Sequence, residues 1–259
     1  MVSPGEAPRS AAASSLPPIR GDRNVIRDRY VPDSVSADVL ERVAERVYRI
    51  RERFVNLYVI DVGRIVLVDT GTKGAEPLVR EALKELGKEL ADIRLVLLTH
   101  HHLDHVGTAG VWKREAKSTV LVHDDDADVV AGRERRKGKG IGLRAKTLIA
   151  FAGVFAWSMR VPPLEPDRRL TGHETIDLLG LPAVVIHVPG HTIGSCAFHL
   201  PTEGVLFAGD AVNGRQGSPV PPWFVEDPGA AIASFERLVA MRPRVLCPGH
   251  GDPVRNPPA

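Results

Sequence analysis

The stretch Leu95-Val96-Leu97-Leu98-Thr99-His100-His101-His102-Leu103-Asp104-His105 carries an apolar, strand-like run directly into five metal-competent side chains within six residues. Neutral imidazole and carboxylate are the ordinary ligands of zinc and of its neighbours in softness, and so dense a group is poor filler for a turn. The stretch points to a metal site. In an extended segment residues two apart face the same way, so His100 and His102 can grip one ion while His101 points to the other side. Asp104 and His105 are adjacent and cannot share that face while the chain stays extended. A turn toward a helix after Leu103 would bring them to a second ion beside the first, as two-metal hydrolysis requires.

Three more apolar runs end at a glycine beside a polar residue. Ala183-Val184-Val185-Ile186-His187-Val188 leads into Pro189-Gly190-His191-Thr192, Gly204-Val205-Leu206-Phe207-Ala208 into Gly209-Asp210, and Arg244-Val245-Leu246-Cys247 into Pro248-Gly249-His250-Gly251. Candidate ligands thus gather where strands finish, the edge at which sheets packed against helices usually collect their chemistry. The glycines permit tight or left-handed turns and close approach to an ion.

With these segments in order, the HxHxDH motif (His100, His102, Asp104, His105), PGHT with His191, AGD with Asp210 and PGHG with His250 resemble the metallo-β-lactamase-fold superfamily of metal-dependent hydrolases. The resemblance runs from about Asn56 to His250. It implies that His100, His102 and His191 hold one metal, that Asp104, His105 and His250 hold the other, and that Asp210 bridges them. Asp69, in Val68-Asp69-Thr70-Gly71, resembles the family's carboxylate that orients a ligand histidine. The implied cofactor is a pair of divalent ions, Zn2+ first, with Fe or Mn as alternatives. Two such ions roughly 3.5 to 4 Å apart hold a bridging water and bring its pKa to around 7, so no serine or cysteine nucleophile is needed. Asp104 is the candidate catalytic group for passing a proton to the leaving group.

The chain of 259 residues is 43% hydrophobic, enough for a substantial core in one domain. A net charge of +2 gives no reason to expect nucleic acid as the main partner. Cys196 and Cys247 sit in apolar contexts and read as buried free thiols in a reducing compartment. Residues 1–22, with Ala11-Ala12-Ala13-Ser14-Ser15 between prolines, read as a flexible tail ahead of a single domain over 23–259. Neither a secretory signal nor a run of about eighteen apolar residues is evident, so a soluble cytoplasmic enzyme is expected, as monomer or homodimer with a small-molecule substrate.

Taking the chain in order, Phe54 to Ile60 reads as a strand turning at Gly63 into Ile65 to Val68, and these two open the first sheet. Ala75 to Leu90 carries Leu78, Val79, Ala82, Leu83 and Leu86 at helical spacing, and Thr108 to Ala116 reads as a short helix. Thr119 to Val122 is a strand ending in His123, which reads as structural, as do His173, His187 and His199. Leu170 to Leu179 and Ala183 to Val188 form a hairpin around Gly180-Leu181-Pro182. Asp227-Pro228 starts a helix with an N-cap and a first-turn proline, burying Ile232, Phe235, Leu238 and Val239. Strand-Asp69-helix-strand-His100 is echoed by strand-Asp210-helix-strand-His250. Two mixed sheets face to face with helices outside, a four-layer αββα sandwich of the α/β class, is the simplest packing of that pattern. The hairpins argue against a doubly wound parallel sheet.

Between the HxHxDH and PGHT segments the resemblance implies a variable cover over the active site, residues 127–166. Its basic run 133–139 and its apolar stretch 143–159, with Phe151, Phe155 and Trp157, suit an acyl group with an anionic end, or equally a packed helix beside a charged loop. A small ester, thioester or lactone is the expected substrate. Hydroxyacylglutathione hydrolases share the motifs but carry a C-terminal helical region for glutathione, whereas only Gly251 to Ala259 follows His250 here. Lactonases acting on acyl homoserine lactones share the ligand set, while zinc β-lactamases generally lack one or more of its members. The alternatives are a persulfide dioxygenase using a single iron and, behind it, an RNA-processing nuclease, for which no RNA-binding arm is evident. His102→Ala should lose metal and hydrolysis of a generic ester or lactone, whereas His101→Ala should retain most of both; metal content and turnover of the two purified variants check the division.

Overall fold

Strands buried on both faces read as unbroken apolar runs, and the central strands here do so because each sheet is covered on both sides. In Val55–Asp61 all positions but the last are buried. Leu57 and Val59 face an apolar layer under helices, while Tyr58 and Ile60 face the layer between the sheets. The computed structural model describes residues 39–136, 139–140 and 161–258. The tail expected over 1–22 and the apolar stretch 143–159 lie outside the described residues.

The first sheet orders β1 (Leu40–Ala44), β2 (Val47–Glu52), β3 (Val55–Asp61), β4 (Ile65–Val68), β5 (Ile93–Leu97), β6 (Thr119–His123) and β8 (Arg168–Leu170). It is antiparallel as far as β4 and parallel from there on. The second orders β17 (Val254–Arg255), β16 (Val245–Pro248), β12 (Val205–Gly209), β11 (Cys196–Leu200), β10 (Pro182–His187) and β9 (Thr175–Asp177), with β12 and β16 its parallel pair. Short ribbons pair β7 (Lys139–Gly140) with β15 (Phe224–Val225) and β13 (Asn213–Arg215) with β14 (Ser218–Val220).

Three apolar layers separate four structural ones. Between the sheets, Val66, Val68 and Leu97 of the first meet Phe198, Phe207 and Cys247 of the second. Outside the first sheet, α1 (Glu76–Glu85), α3 (Ala109–Glu115) and α4 (Asp124–Val130) bury Val79, Leu83, Trp112 and Ala127. Outside the second, α5 (Pro228–Ala240) seats Leu238 and Phe235 against Leu206 and Leu246. This is the expected αββα arrangement of two mixed sheets with outer helices. The internal echo is also present, since β4-α1-β5 and β12-α5-β16 each join parallel neighbours. Both cysteines are buried and unpaired.

Several local expectations are corrected. The first sheet opens with β1 and β2, ahead of the hairpin read as its start, and β2 was obscured by its arginines. Arg49 is inward and buried, its guanidinium matched by Glu41 and Asp252. The helix expected over Ala75 to Leu90 ends at Glu85, because Gly87 turns left-handed at φ 64°. Leu170 belongs to β8 in the first sheet, so the hairpin at Gly180 joins only β9 and β10. Finally, α5 buries Ala231, Ser234 and Leu238 while Ile232 is 42% exposed. Small residues face inward there because the helix lies hard against Pro189-Gly190: a Cβ on Gly190 would come within 2.2 Å of the Ala231 nitrogen, and Ser234 Oγ donates to the Pro189 carbonyl at 2.8 Å. Leu238→Ala should therefore destabilise the fold by about 2–5 kcal/mol, and Ile232→Ala by no more than about 0.5 kcal/mol, as read by urea unfolding.

Candidate metal centre

After β5 the backbone bends at Thr99 and His100, is extended at His102 (φ −67°, ψ 148°) and then enters α2 (Leu103–Val106), the turn that brings Asp104 and His105 round. His191 follows β10, Asp210 follows β12 and His250 follows β16. The His250 loop is stitched to the other sheet across the seam. Asn56 Nδ2 donates to the Pro248 and Gly251 carbonyls at 3.0 and 2.7 Å, and Tyr58 Oη donates to Pro248 at 2.8 Å.

All seven residues picked out in the sequence as ligands converge. His100 Nε2 lies 3.1 Å from His102 Nδ1 and 3.2 Å from His191 Nε2, and the last two are 2.8 Å apart. Asp210 reaches His250 Nε2 at 3.1 Å, His191 Nε2 at 3.4 Å and, through its other oxygen, His105 Nε2 at 3.4 Å. Asp104 lies 3.6 Å from His250 Nε2. The donors fall into His100-His102-His191 and Asp104-His105-His250, with His100-His105-Asp210 linking them.

The far sides of the rings decide what these nitrogens can do. His105 Nδ1 donates to Asp69 at 2.8 Å, His191 Nδ1 to the Phe224 carbonyl at 2.7 Å and His250 Nδ1 to the Phe54 carbonyl at 2.8 Å. Thr99 Oγ1 donates to Asp69 at 2.8 Å and stands 3.0 Å from His100 Nδ1, so it receives that ring's proton. Each of these four rings is thereby held with the Nε2 lone pair turned inward. Nitrogens this close need a proton or a cation between them, and a tetrahedral ion with about 2.0–2.1 Å bonds sets its nitrogens about 3.3 Å apart. Two buried atoms in the centre, His105 Nε2 and Asp210 Oδ1, have no hydrogen-bond partner. The donor set fits a divalent metal.

Electrostatics divides the centre. Burial, reinforced by neighbouring imidazoles, holds His100 and His102 well below the ordinary histidine range, and burial lowers His191 although Asp210 pulls it back. Burial also acts against charge on His105, but Asp210, Asp69 and Asp104 outweigh it and raise that ring to about 10. His250, likewise opposed by burial but facing Asp210, rises to about 8. Asp210, despite its burial, is kept well below the usual carboxylate range by His250, His105 and His191.

A further grouping, His123-Asp125-His187, is less suited to an ion. Its two rings stack at 4.2 Å and 12°, which lays their in-plane lone pairs side by side, and His187 Nε2 faces the Ile193 carbonyl at 2.8 Å. Of the basic run, Arg133 is taken up by Asp128 and Glu165, and Arg136 by Asp126 and Glu134, so neither waits for an anionic substrate. Sequence reasoning missed Thr99, whose position before the histidines was a signal, and Asp126, which hid in Asp124-Asp125-Asp126 at the start of α4.

The sequence profile of the metallo-beta-lactamase superfamily matches residues 50–250. The chain belongs to that superfamily. A hydroxyacylglutathione hydrolase from Fuscovulum blasticum is 33% identical over 73% of the chain, a match spanning 58% of that enzyme's length. The probable metallo-hydrolase YflN of Bacillus subtilis is 26% identical over 88% of the chain and 92% of its own length. Among solved structures, a metallo-beta-lactamase family protein from Thermus thermophilus superposes with a TM-score of 0.61 at 28% identity, covering 82% of this chain and 75% of that one. The subclass B3 metallo-beta-lactamase of Bradyrhizobium japonicum shares the fold at 21% identity, with a TM-score of 0.62 over 82% of this chain and 78% of its own. No helix among the described residues is long and apolar enough to cross a membrane.

Asp69→Ala would strand the His105 Nδ1–H, the Thr99 N–H and the Thr99 hydroxyl, all buried. At about 1–3 kcal/mol for each orphaned donor, urea unfolding of the cation-free protein should show a loss of roughly 3 kcal/mol or more.

Proposed function

We propose that this protein is a binuclear metallohydrolase, zinc-dependent in the first instance, that cleaves a small ester, thioester or lactone. The observation that carries the reading is that four strand ends deliver two complete triads of donors joined by one carboxylate, Asp210. A mononuclear iron site would leave Asp104, His105 and His250 without a task, which favours two ions over the dioxygenase alternative.

In this reading His100, His102 and His191 bind the first ion, Asp104, His105 and His250 the second, and Asp210 bridges. Bound there, divalent ions supply Lewis acidity toward the attacked carbonyl and ionisation of water near neutral pH. The protein's own groups do the rest. Asp69 holds His105 directly and His100 through Thr99, so those ligands keep their aim while charge shifts nearby. Asp104 is the carboxylate of the set most open to solvent, 28% exposed at its side chain, and is placed to hand a proton to the leaving group. Phe54, Leu103, Ile193 and Trp223 are exposed apolar side chains next to ligand-bearing turns. They suit a substrate with an apolar body. Two buried unpaired thiols agree with a reducing, cytoplasmic setting.

The test is a hydrolysis panel of lactones, thioesters, phosphodiesters and β-lactams on metal-quantified protein, with oxygen uptake followed in parallel. Turnover of lactone or thioester with about two ions per chain is expected; a single iron with oxygen uptake would overturn the reading. A second expectation follows from the protons. At pH 7 the cation-free protein carries protons on His105, at about 10, and His250, at about 8, so filling their triad should release close to two per ion. Near pH 9 His250 has already lost its proton and release falls toward one, while the His100 triad, lowered by burial, releases none at either pH. An indicator dye in weak buffer during zinc titration measures this.

A further inference from the structure

Asp126, on the first turn of α4, is fully buried and belongs to neither triad. One oxygen accepts from the His101 backbone N–H at 3.0 Å and from Thr192 Oγ1 at 2.8 Å; the other accepts from the Gly194 N–H at 3.0 Å and from Arg136 Nη1 at 3.1 Å. Residue 101 lies between His100 and His102, and residues 192 and 194 directly follow His191. One carboxylate therefore ties down both segments that supply the first triad, segments separated by some ninety positions in the chain. We infer that Asp126 is the positioning residue of the His100-His102-His191 triad, fixing the separation and aim of its two loops, a role that rests on the proposed metal reading.

The geometry explains how a contact on the wrong side of the strand can aim the ligands. The His101 ring lies against Asp126, its Nδ1 3.0 Å from the carboxylate, while the rings of His100 and His102 on either side of it meet each other at 3.1 Å. The anchor is double, since His101 Nδ1 also stands 3.0 Å from the oxygen that accepts the His101 backbone N–H, and removing the His101 side chain leaves the backbone half in place. On the other loop the fit is steric as well as polar: a Cβ on Gly194 would lie 2.5 Å from Asp126 Cγ, so the loop descends onto the carboxylate with no room to spare. Thr192 is fixed further, its hydroxyl 2.8 Å from Ser195 Oγ. Arg136 neutralises the buried charge, its side chain only 15% exposed, and Glu134 holds the guanidinium in turn. Misplacing either loop by a fraction of an ångström would pull nitrogens now 2.8–3.2 Å apart out of the shape one ion requires.

The experiment compares the full-length wild type with Asp126→Asn, Thr192→Val and Thr192→Ser, reading zinc affinity by competition with a chelator and the absorption spectrum of the cobalt(II)-loaded protein. An amide at 126 turns one acceptor into a donor against groups that already donate. Asp126→Asn is expected to weaken binding at the His100-His102-His191 triad by 10- to 100-fold and to alter the cobalt spectrum. Thr192→Val should do the same to a smaller degree, and Thr192→Ser, which restores the hydroxyl, should return both to wild type. Folded Asp126→Asn and Thr192→Val proteins with unchanged affinity and spectrum, whatever their melting temperatures, would overturn the proposal. Should Asp126→Asn fail to fold, the threonine pair decides alone. A wild type that binds no ion would instead sink the hydrolase reading itself.

Discussion

The structure is organised around an electrostatic conflict: the ring nitrogens of His100, His102 and His191, all held below the ordinary histidine range, crowd together beside the Asp210 carboxylate in a place largely shut off from water. Lone pairs at 2.8–3.2 Å repel unless something positive stands between them. Four of the five rings are held from behind, His105 and His100 through Asp69, His191 and His250 through backbone carbonyls. A donor set so strained is cheap to maintain only if a cation relieves it, and the fold around it serves mainly to keep it from relaxing.

Close approach of backbone is the second requirement, and it accounts for the glycines at the strand ends. A Cβ on Gly249 would stand 2.1 Å from Asp210 Oδ1 and 2.8 Å from His105 Cε1, so any larger residue would displace the Asp210 carboxylate. A Cβ on Gly209 would likewise come within 2.6 Å of Thr99 Oγ1, and the residue adopts φ 49° besides. The two glycines thus touch the hydroxyl that relays Asp69 to His100 and the carboxylate that joins the triads.

The centre was legible in the sequence because its chemistry is local. His100, His102, Asp104 and His105 share one short stretch, and each remaining ligand sits beside a glycine at the end of an apolar run, a pattern that survives without knowledge of tertiary contacts. The sandwich was legible for a related reason, since hairpins and the repeated strand-helix-strand order constrain topology. What escaped was decided at a distance. In β2 the inward Arg49 is matched by Glu41 on the neighbouring strand and by Asp252, some two hundred positions away, pairings that only the folded sheet reveals. The face of α5 was misjudged because hydrophobicity favours Ile232, whereas the approach of Gly190 selects Ala231 and Ser234. Asp126 is one of three consecutive acids and is the one the fold encloses.

The clustered donors come from both sheets, so an ion bound among them would link the proposed function to cohesion. His100 through His105 leave the first sheet; His191, Asp210 and His250 leave the second. An ion held by both sets binds the docked sandwich and has far less affinity for separated sheets or unfolded chain, so it stabilises the docked form by RT ln(1 + [L]/Kd), about 4 kcal/mol at a thousandfold excess over Kd. Without the ion, the seam is closed by the apolar layer between the sheets together with Asn56, Tyr58 and the β3 backbone gripping the His250 loop. Those contacts lie on the far side of the centre from α4, where Asp126 ties His101 to Thr192 and Gly194. The two clamps bracket the donors from opposite sides, so the sheets can be held in register while the repulsion between lone pairs persists.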